Sequence, residues 1–175
     1  MKRIGLLRHA KSDWSDSDKR DFDRGLNERG RRGARLIGRH IAAEGTQWQL
    51  VRASSAERVR RTVEHALPDA QVAFDDVLYL ASAETLIDQL QLLPATIDAV
   101  LLVAHNPGLQ DLILRLVAPA NENALFDAAK EKFPTASFAI VALPIDEWAL
   151  AETGTGELVH FARPRDLDPD LGPEE

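Results

Sequence analysis

The feature that most constrains the fold is the uninterrupted apolar run AVLLVA at Ala99–Ala104. A short run with no polar position predicts a strand that is covered on both faces, as in the centre of a parallel sheet. Two further apolar runs, Ile4–Leu7 and Leu50–Ala53, predict neighbouring strands, and a segment with helical features follows each run. This alternation predicts an α/β chain folded as a three-layer α/β/α sandwich with a mostly parallel central sheet.

Several sequence signals mark where the helices begin. Asn27 is a suitable N-cap for a helix to about Glu44, because the apolar residues after it are spaced for one buried stripe. The sequence SSAE at residues 54–57 matches a capping box. The pair NP at residues 106–107 offers a cap followed by a proline at the first helical position. A fourth helix is predicted over residues 84–92.

The end of the chain differs in composition from the rest. Apolar residues at Ala136–Leu143 and Gly156–Phe161 predict two more strands that pair at a sheet edge. The segment from residue 163 contains three prolines and five acidic residues. We therefore expect a single domain over residues 1–162 and a loosely ordered acidic tail over residues 163–175.

Composition excludes several classes of function. The net charge of −7 argues against binding nucleic acid or an acidic membrane through a broad basic face. The chain contains no cysteine, which rules out disulfides, thiolate catalysis and cysteine-ligated metal centres. The sequence shows no signal peptide and no apolar stretch long enough to span a membrane, so a cytoplasmic location is predicted.

Charged and imidazole side chains follow the three predicted parallel strands. Arg8 and His9 end the first strand, Arg58 lies in the first turn of the helix after the second, and His105 ends the third. Because ligands of open parallel sheets bind beyond the carboxyl ends of the strands, these four side chains are expected to face one crevice. Their convergence predicts a functional site.

Two arginines and two histidines together suit phosphoryl transfer. One guanidinium group can donate to two phosphate oxygens at once, and a neutral imidazole is a competent nucleophile near pH 7. Arg8 and Arg58 would keep His9 neutral by charge repulsion, and His105 could donate to a phosphate oxygen. No helical pair of histidines is spaced to bind a metal, and arginine beside a cation is unfavourable. We therefore expect neither a metal nor another cofactor.

Three motifs resemble those of one family. LLRHAKSDW at Leu6–Trp14 resembles the Arg-His signature of the histidine phosphatase superfamily, which includes cofactor-dependent phosphoglycerate mutases. SSAERVRRT at Ser54–Thr62 and LLVAHNPGL at Leu101–Leu109 resemble its second and third motifs, in the family order. Together with RHAKSDW, the segments DFDRGLNERG at Asp21–Gly30 and KFPTAS at Lys132–Ser137 are similar to the compact SixA-type phosphohistidine phosphatase branch.

The resemblance implies a phosphoglycerate mutase-like fold and a role for each matching residue. It implies that His9 is the phosphorylated nucleophile, that Arg8 and Arg58 bind the phosphoryl group, and that His105 completes the pocket. Ser15 falls where many relatives have a phosphate-contacting asparagine, which makes it a candidate contact. The activity implied is removal of phosphate from phosphohistidine in proteins, without a metal.

The general acid has no clear match in the sequence. Larger relatives carry a glutamate in an insertion between the second and third motifs, whereas this chain offers Asp21, Asp75, Asp76 and Glu84 as candidates. A substrate with a good leaving group, such as phosphohistidine, would need no strong acid. Two other functions stay open, namely a phosphatase for small phosphorylated metabolites and a non-catalytic module that binds phosphate or phosphoproteins.

Overall fold

The computed structural model describes residues 1–172 and contains one six-stranded sheet in the order β3-β2-β4-β1-β5-β6. The strands are β1 (Lys2–Arg8), β2 (Leu50–Ser54), β3 (Val72–Asp75), β4 (Ala99–Ala104), β5 (Phe138–Leu143) and β6 (Glu157–Ala162). The main helices are α1 (Glu28–Glu44), α2 (Glu57–Ala66), α3 (Ala83–Gln91), α4 (Gly108–Leu116), α5 (Ala124–Glu131) and α6 (Pro164–Leu167). Within the described part of the chain, no helix is both long and apolar enough to cross a membrane.

The sheet is mostly parallel and lies between two helical layers. Strands β3, β2, β4 and β1 pair in parallel, whereas β5 and β6 add antiparallel strands at one edge. Helices α3, α4 and α5 pack on one face of the sheet, and α1 and α2 pack on the other. Every residue of β4 is buried, as the run AVLLVA predicts for a strand covered on both faces. The predicted three-layer α/β/α architecture is therefore confirmed.

Two predicted helix starts need correction. Helix α2 has Ala56 as its N-cap, with no side-chain cap bond. The Ser54 hydroxyl accepts from the Ala56 N–H at 3.3 Å and is hydrogen-bonded to the His105 ring at 2.7 Å. Helix α4 begins at Gly108, one residue later than predicted, so Pro107 is its N-cap. By contrast, the Asn27 carboxamide accepts a hydrogen bond from the Gly30 N–H at 2.7 Å, as expected of an N-cap.

The segment after β6 lies against α1. Arg32 forms an ion pair with Asp168, and Arg29 donates a hydrogen bond to the Asp170 carbonyl at 2.8 Å. Residues 163–172 thus include the short helix α6 and a following helical turn that contact the first helix. Residues 173–175 of the predicted tail lie outside the described residues. The domain boundary at residue 162 stays a prediction.

Candidate active site

The four side chains singled out in the sequence lie together at the carboxyl ends of the parallel strands. Arg8, the last residue of β1, lies directly beside Ala104, the last residue of β4. His9 follows β1 and His105 follows β4. Arg58 comes from the first turn of α2. All four line one cleft of about 340 Å³, which we call the strand-end cleft.

His9 is a buried and neutral imidazole. Its Nδ1 lies 2.8 Å from the Ala10 carbonyl, and because a carbonyl can only accept, Nδ1 carries the proton and Nε2 keeps its lone pair. Burial lowers the pKa of His9 to about 3, and the positive charges of Arg8 and Arg58 act in the same direction. The ring is therefore unprotonated near pH 7 and has the electronic form of a nucleophile.

His105 is also a neutral imidazole, but its N–H is directed toward Ser54. Burial lowers its pKa to about 3, and the neighbouring Arg58 charge contributes. Its Nδ1 lies 3.4 Å from the Arg58 guanidinium, which can only donate, so Nε2 carries the proton and donates to Ser54 at 2.7 Å. In this structure the one N–H of His105 thus donates to Ser54 and is not directed into the cleft, and its Nδ1 accepts from the Arg58 guanidinium.

Arg58 is held by Asp21, the first residue of a short 3-10 helix (Asp21–Asp23). Its guanidinium donates to the Asp21 carbonyl at 2.7 Å and to the Asp21 carboxylate at 3.0 Å, and the Tyr79 hydroxyl donates to the same carboxylate. Partial burial would raise the pKa of Asp21, but the hydrogen bonds from Tyr79 and Arg58 outweigh it and lower the pKa. Asp21 is therefore a carboxylate at neutral pH, paired with the buried guanidinium.

Arg8 completes the positive end of the cleft. Its Nη1 donates to the Phe133 carbonyl at 3.0 Å, whereas its buried Nε has no hydrogen-bond partner among the described residues. Burial and the nearby Arg58 charge lower the pKa of Arg8, which nevertheless stays far above neutrality as an arginine. Two guanidinium groups in one cleft beside an unprotonated imidazole favour binding of a multiply charged anion such as phosphate.

The structure does not bring Ser15 to the cleft. Ser15 is exposed, and its backbone N–H donates to the Asp13 carboxylate at 2.9 Å. Its neighbour Trp14 lines the cleft instead, together with Lys11 and Thr135. The cleft-lining role expected at Ser15 is thus taken by residues that precede it in the same loop and by Thr135, in the segment before β5.

Only one of the four candidate acids lies at the cleft. Asp21 lines it, whereas Asp75 pairs with Arg52 at 3.0 Å and the Asp76 carboxylate accepts from the Ser55 hydroxyl. Glu84 lies on α3 and approaches Arg115 at 3.4 Å. Asp21 is therefore the only one of the four predicted acids placed to act on a bound ligand.

Sequence reasoning missed Tyr79 and Leu80, which reach the site from the turn before α3. Tyr79 contacts both Asp21 and the His105 ring, and Leu80 lines the cleft. No local pattern marks this turn, since its role depends on the fold. Among the residues that the structure describes, no group of three or more histidine, aspartate or glutamate side chains is arranged to hold a metal ion.

Comparisons with known proteins agree with these observations. Residues 4–78 match the family model of the histidine phosphatase superfamily, branch 1. An uncharacterized protein of Mycobacterium tuberculosis is 33% identical over 160 residues, which cover 91% of this chain and 100% of the relative. A structure from Nakamurella, assigned as phosphohistidine phosphatase SixA, has a TM-score of 0.82 at 26% identity and covers 93% of this chain and 96% of its own. The corresponding Agrobacterium tumefaciens structure has a TM-score of 0.77 at 29% identity, with coverage of 93% and 98%.

Proposed function

This chain belongs to the histidine phosphatase superfamily, in its SixA-type branch, and from that premise we propose that it removes phosphate from phosphohistidine in proteins through a covalent intermediate on His9. The observation that carries the proposal is the state of His9. Its Nδ1 proton is directed to the Ala10 carbonyl, so the Nε2 lone pair is available beside two guanidinium groups. The relatives of known structure that are assigned as phosphohistidine phosphatases support the same substrate class.

In the first step, the Nε2 lone pair of His9 attacks phosphorus in line. A bond from Nε2 to phosphorus forms as the bond to the leaving nitrogen of the substrate breaks, and its electron pair stays on that nitrogen. Arg8 and Arg58 bind the phosphoryl oxygens and neutralise their charge during transfer. The step needs no metal, because the two fixed guanidinium groups supply the positive charge.

The state of Asp21 bears on which leaving group the cleft can release. An ionised carboxylate has no proton to give, and Asp21 is ionised at neutral pH because Tyr79 and Arg58 lower its pKa. An alkoxide leaving group needs such a proton, since its conjugate acid is very weak. A phosphohistidine ring whose other nitrogen carries a proton leaves as neutral imidazole. The conjugate acid of that imidazole has a pKa of about 6.5, so it can leave without a strong acid. This difference supports phosphohistidine over simple alkyl phosphates.

In the second step, water attacks the phosphorus of the enzyme-bound phosphohistidine. The bond from phosphorus to Nε2 of His9 breaks, the imidazole recovers its lone pair, and inorganic phosphate is released. The Asp21 carboxylate is the group at the cleft that can accept the proton of the attacking water. A cytoplasmic location and a phosphohistidine-bearing protein as partner belong to the same proposal.

The proposal is tested by measuring phosphate release with a chelator present. Wild type, His9→Ala and the control His65→Ala are compared on a phosphohistidine-bearing protein and on a panel of phosphorylated metabolites, since His65 is a histidine of α2 that does not line the cleft. We expect turnover of the phosphoprotein by wild type and control but not by His9→Ala.

Other outcomes would replace the proposal. Turnover of metabolites alone would support the covalent mechanism on His9 but would show that the substrate is a small phosphorylated compound. Binding of phosphate or tungstate without turnover of any substrate would make the protein a binding module. Activity lost on chelation would refute a mechanism that relies on Arg8 and Arg58 alone for positive charge.

A further inference from the structure

An exposed tryptophan stands at the mouth of the strand-end cleft. Trp14 has 68% of its surface exposed and lines the same cleft as His9 and Arg58. A single exposed apolar side chain is common and means little by itself. This one is notable for two further features, which are the support beneath its ring and a second exposed apolar side chain on the same cleft.

The Trp14 ring rests on a buried arginine. The guanidinium carbon of Arg24 lies 4.1 Å from the centroid of the indole, and Arg24 itself is only 6% exposed. The two terminal nitrogens of Arg24 donate to the carbonyls of Asp16 and Lys19, both at 2.9 Å. One face of the indole is thus supported by a residue that also ties down the surrounding loop, while much of the ring remains open to solvent.

Leu80 lines the cleft from a constrained backbone. Its φ is +50°, in the left-handed region that non-glycine residues rarely adopt, and its side chain is 56% exposed. The next residue is held closely by α4, since a Cβ on Gly108 would lie 2.0 Å from the Ala81 carbonyl oxygen. The fold therefore maintains an unfavourable backbone conformation at a residue whose apolar side chain is left at the mouth of the cleft.

We propose that Trp14 and Leu80 form a rim that binds the flat ring of the leaving group, and that the ring is the imidazole of a phosphohistidine side chain. This inference rests on the proposed function and deepens it by assigning the part of the substrate that the phosphate-binding groups do not contact. Arg8 and Arg58 hold the phosphoryl end, so a directly attached ring extends from the phosphorus toward the mouth. An indole face binds a flat or cationic ring by stacking, and a leucine covers its edge.

Two small substrates distinguish binding of the ring from cleavage of the P–N bond. N-phosphoryl imidazole and phosphoramidate both carry a P–N bond, but only the first has a ring. We expect Trp14→Ala to lower kcat/KM for N-phosphoryl imidazole by about fivefold through KM, and to change the value for phosphoramidate by less than about twofold. Trp14→Phe keeps an aromatic face and should restore most of the loss.

A second variant tests the rim without threatening the fold. Leu80→Gly removes the side chain, and glycine adopts the left-handed backbone readily, so this variant should unfold at no lower urea concentration than wild type. It should raise KM for N-phosphoryl imidazole by about threefold and leave phosphoramidate unchanged. Leu92→Ala is the control, because Leu92 is 77% exposed and does not line the cleft.

The outcomes distinguish this inference from the proposed function. Equal losses on both compounds, or no loss on either, would overturn the assignment of the rim while wild-type turnover upheld the proposed function. A loss confined to a phosphohistidine-bearing protein would also overturn it, since Trp14 would then contact the protein around the histidine. Failure of wild type to hydrolyse either P–N compound would overturn this inference, and failure on the phosphohistidine-bearing protein as well would refute the proposed function.

Discussion

Acidification from pH 7 to pH 5 is expected to destabilise the protein mainly through His9 and His105. Burial, together with neighbouring positive charge, lowers the pKa of each ring to about 3 in the folded chain. In the unfolded chain both return to the ordinary histidine pKa of about 6.5. As the pH falls below about 6.5, the unfolded chain therefore takes up protons that the folded chain does not, and the free energy of unfolding falls.

The magnitude follows from proton linkage. For a single histidine with a pKa of about 6.5 unfolded and about 3 folded, integration from pH 7 to pH 5 gives a loss of about 1.9 kcal/mol. The two rings together account for about 3.8 kcal/mol. The result depends little on the folded value, because any folded pKa well below 5 leaves the ring neutral over this range.

The assay is urea unfolding at pH 7 and pH 5, in buffers without phosphate, for wild type and for the variants His9→Gln and His105→Gln. Glutamine keeps a donor and an acceptor but does not titrate, so each variant should lose about 1.9 kcal/mol of the pH dependence. All other titrating groups are common to the three proteins and cancel in the comparison. A His9→Gln variant with the full wild-type pH dependence would refute a neutral, buried His9.

Three further predictions concern the supports of the site. In urea unfolding, Gly30→Ala should destabilise the protein by about 3 kcal/mol, because the added Cβ would lie 2.1 Å from the Lys11 carbonyl oxygen. Gly33→Ala is the matched control: the nearest atom to its added Cβ is 3.9 Å away, so it should stabilise the protein by about 0.5–1 kcal/mol. Arg58→Lys should weaken tungstate binding by calorimetry about tenfold, since lysine cannot make the paired contact, and unchanged affinity would refute that role. Asp21→Asn should slow hydrolysis of the phosphoenzyme about 100-fold, and an unchanged kcat would exclude Asp21 as the base.

The central part of the fold could be predicted because its signals are local. The run AVLLVA, the cap at Asn27 and the apolar stripe that follows it each carry their own physical reason, and the structure reproduces them. The sequence did not predict β3 (Val72–Asp75), α5 (Ala124–Glu131) or α6 (Pro164–Leu167), which are short and lack a strong repeat. Strand β3 is also a partly exposed edge strand, so its residues need not be apolar.

The site was predictable only where strand ends bring residues together. Arg8, His9 and His105 follow directly from the rule that parallel strands end at one edge. The part played by Tyr79 depends on a turn that packs against the site from a distant point in the sequence, and no local pattern indicates it. Likewise, the Ser54 hydroxyl matches a helix cap in sequence but bonds His105 in the folded chain.

The most direct test of the central claim is a rapid-quench measurement of the phosphoenzyme. Wild type is mixed with radiolabelled phosphoramidate, quenched in alkali, which preserves phosphohistidine, at a series of times within the first turnover, and mapped by peptide mass spectrometry. We predict an acid-labile phosphate on His9 that forms before inorganic phosphate appears and decays as it is released. Label on any other residue, or phosphate release throughout the first turnover with no label on the protein, would contradict the account.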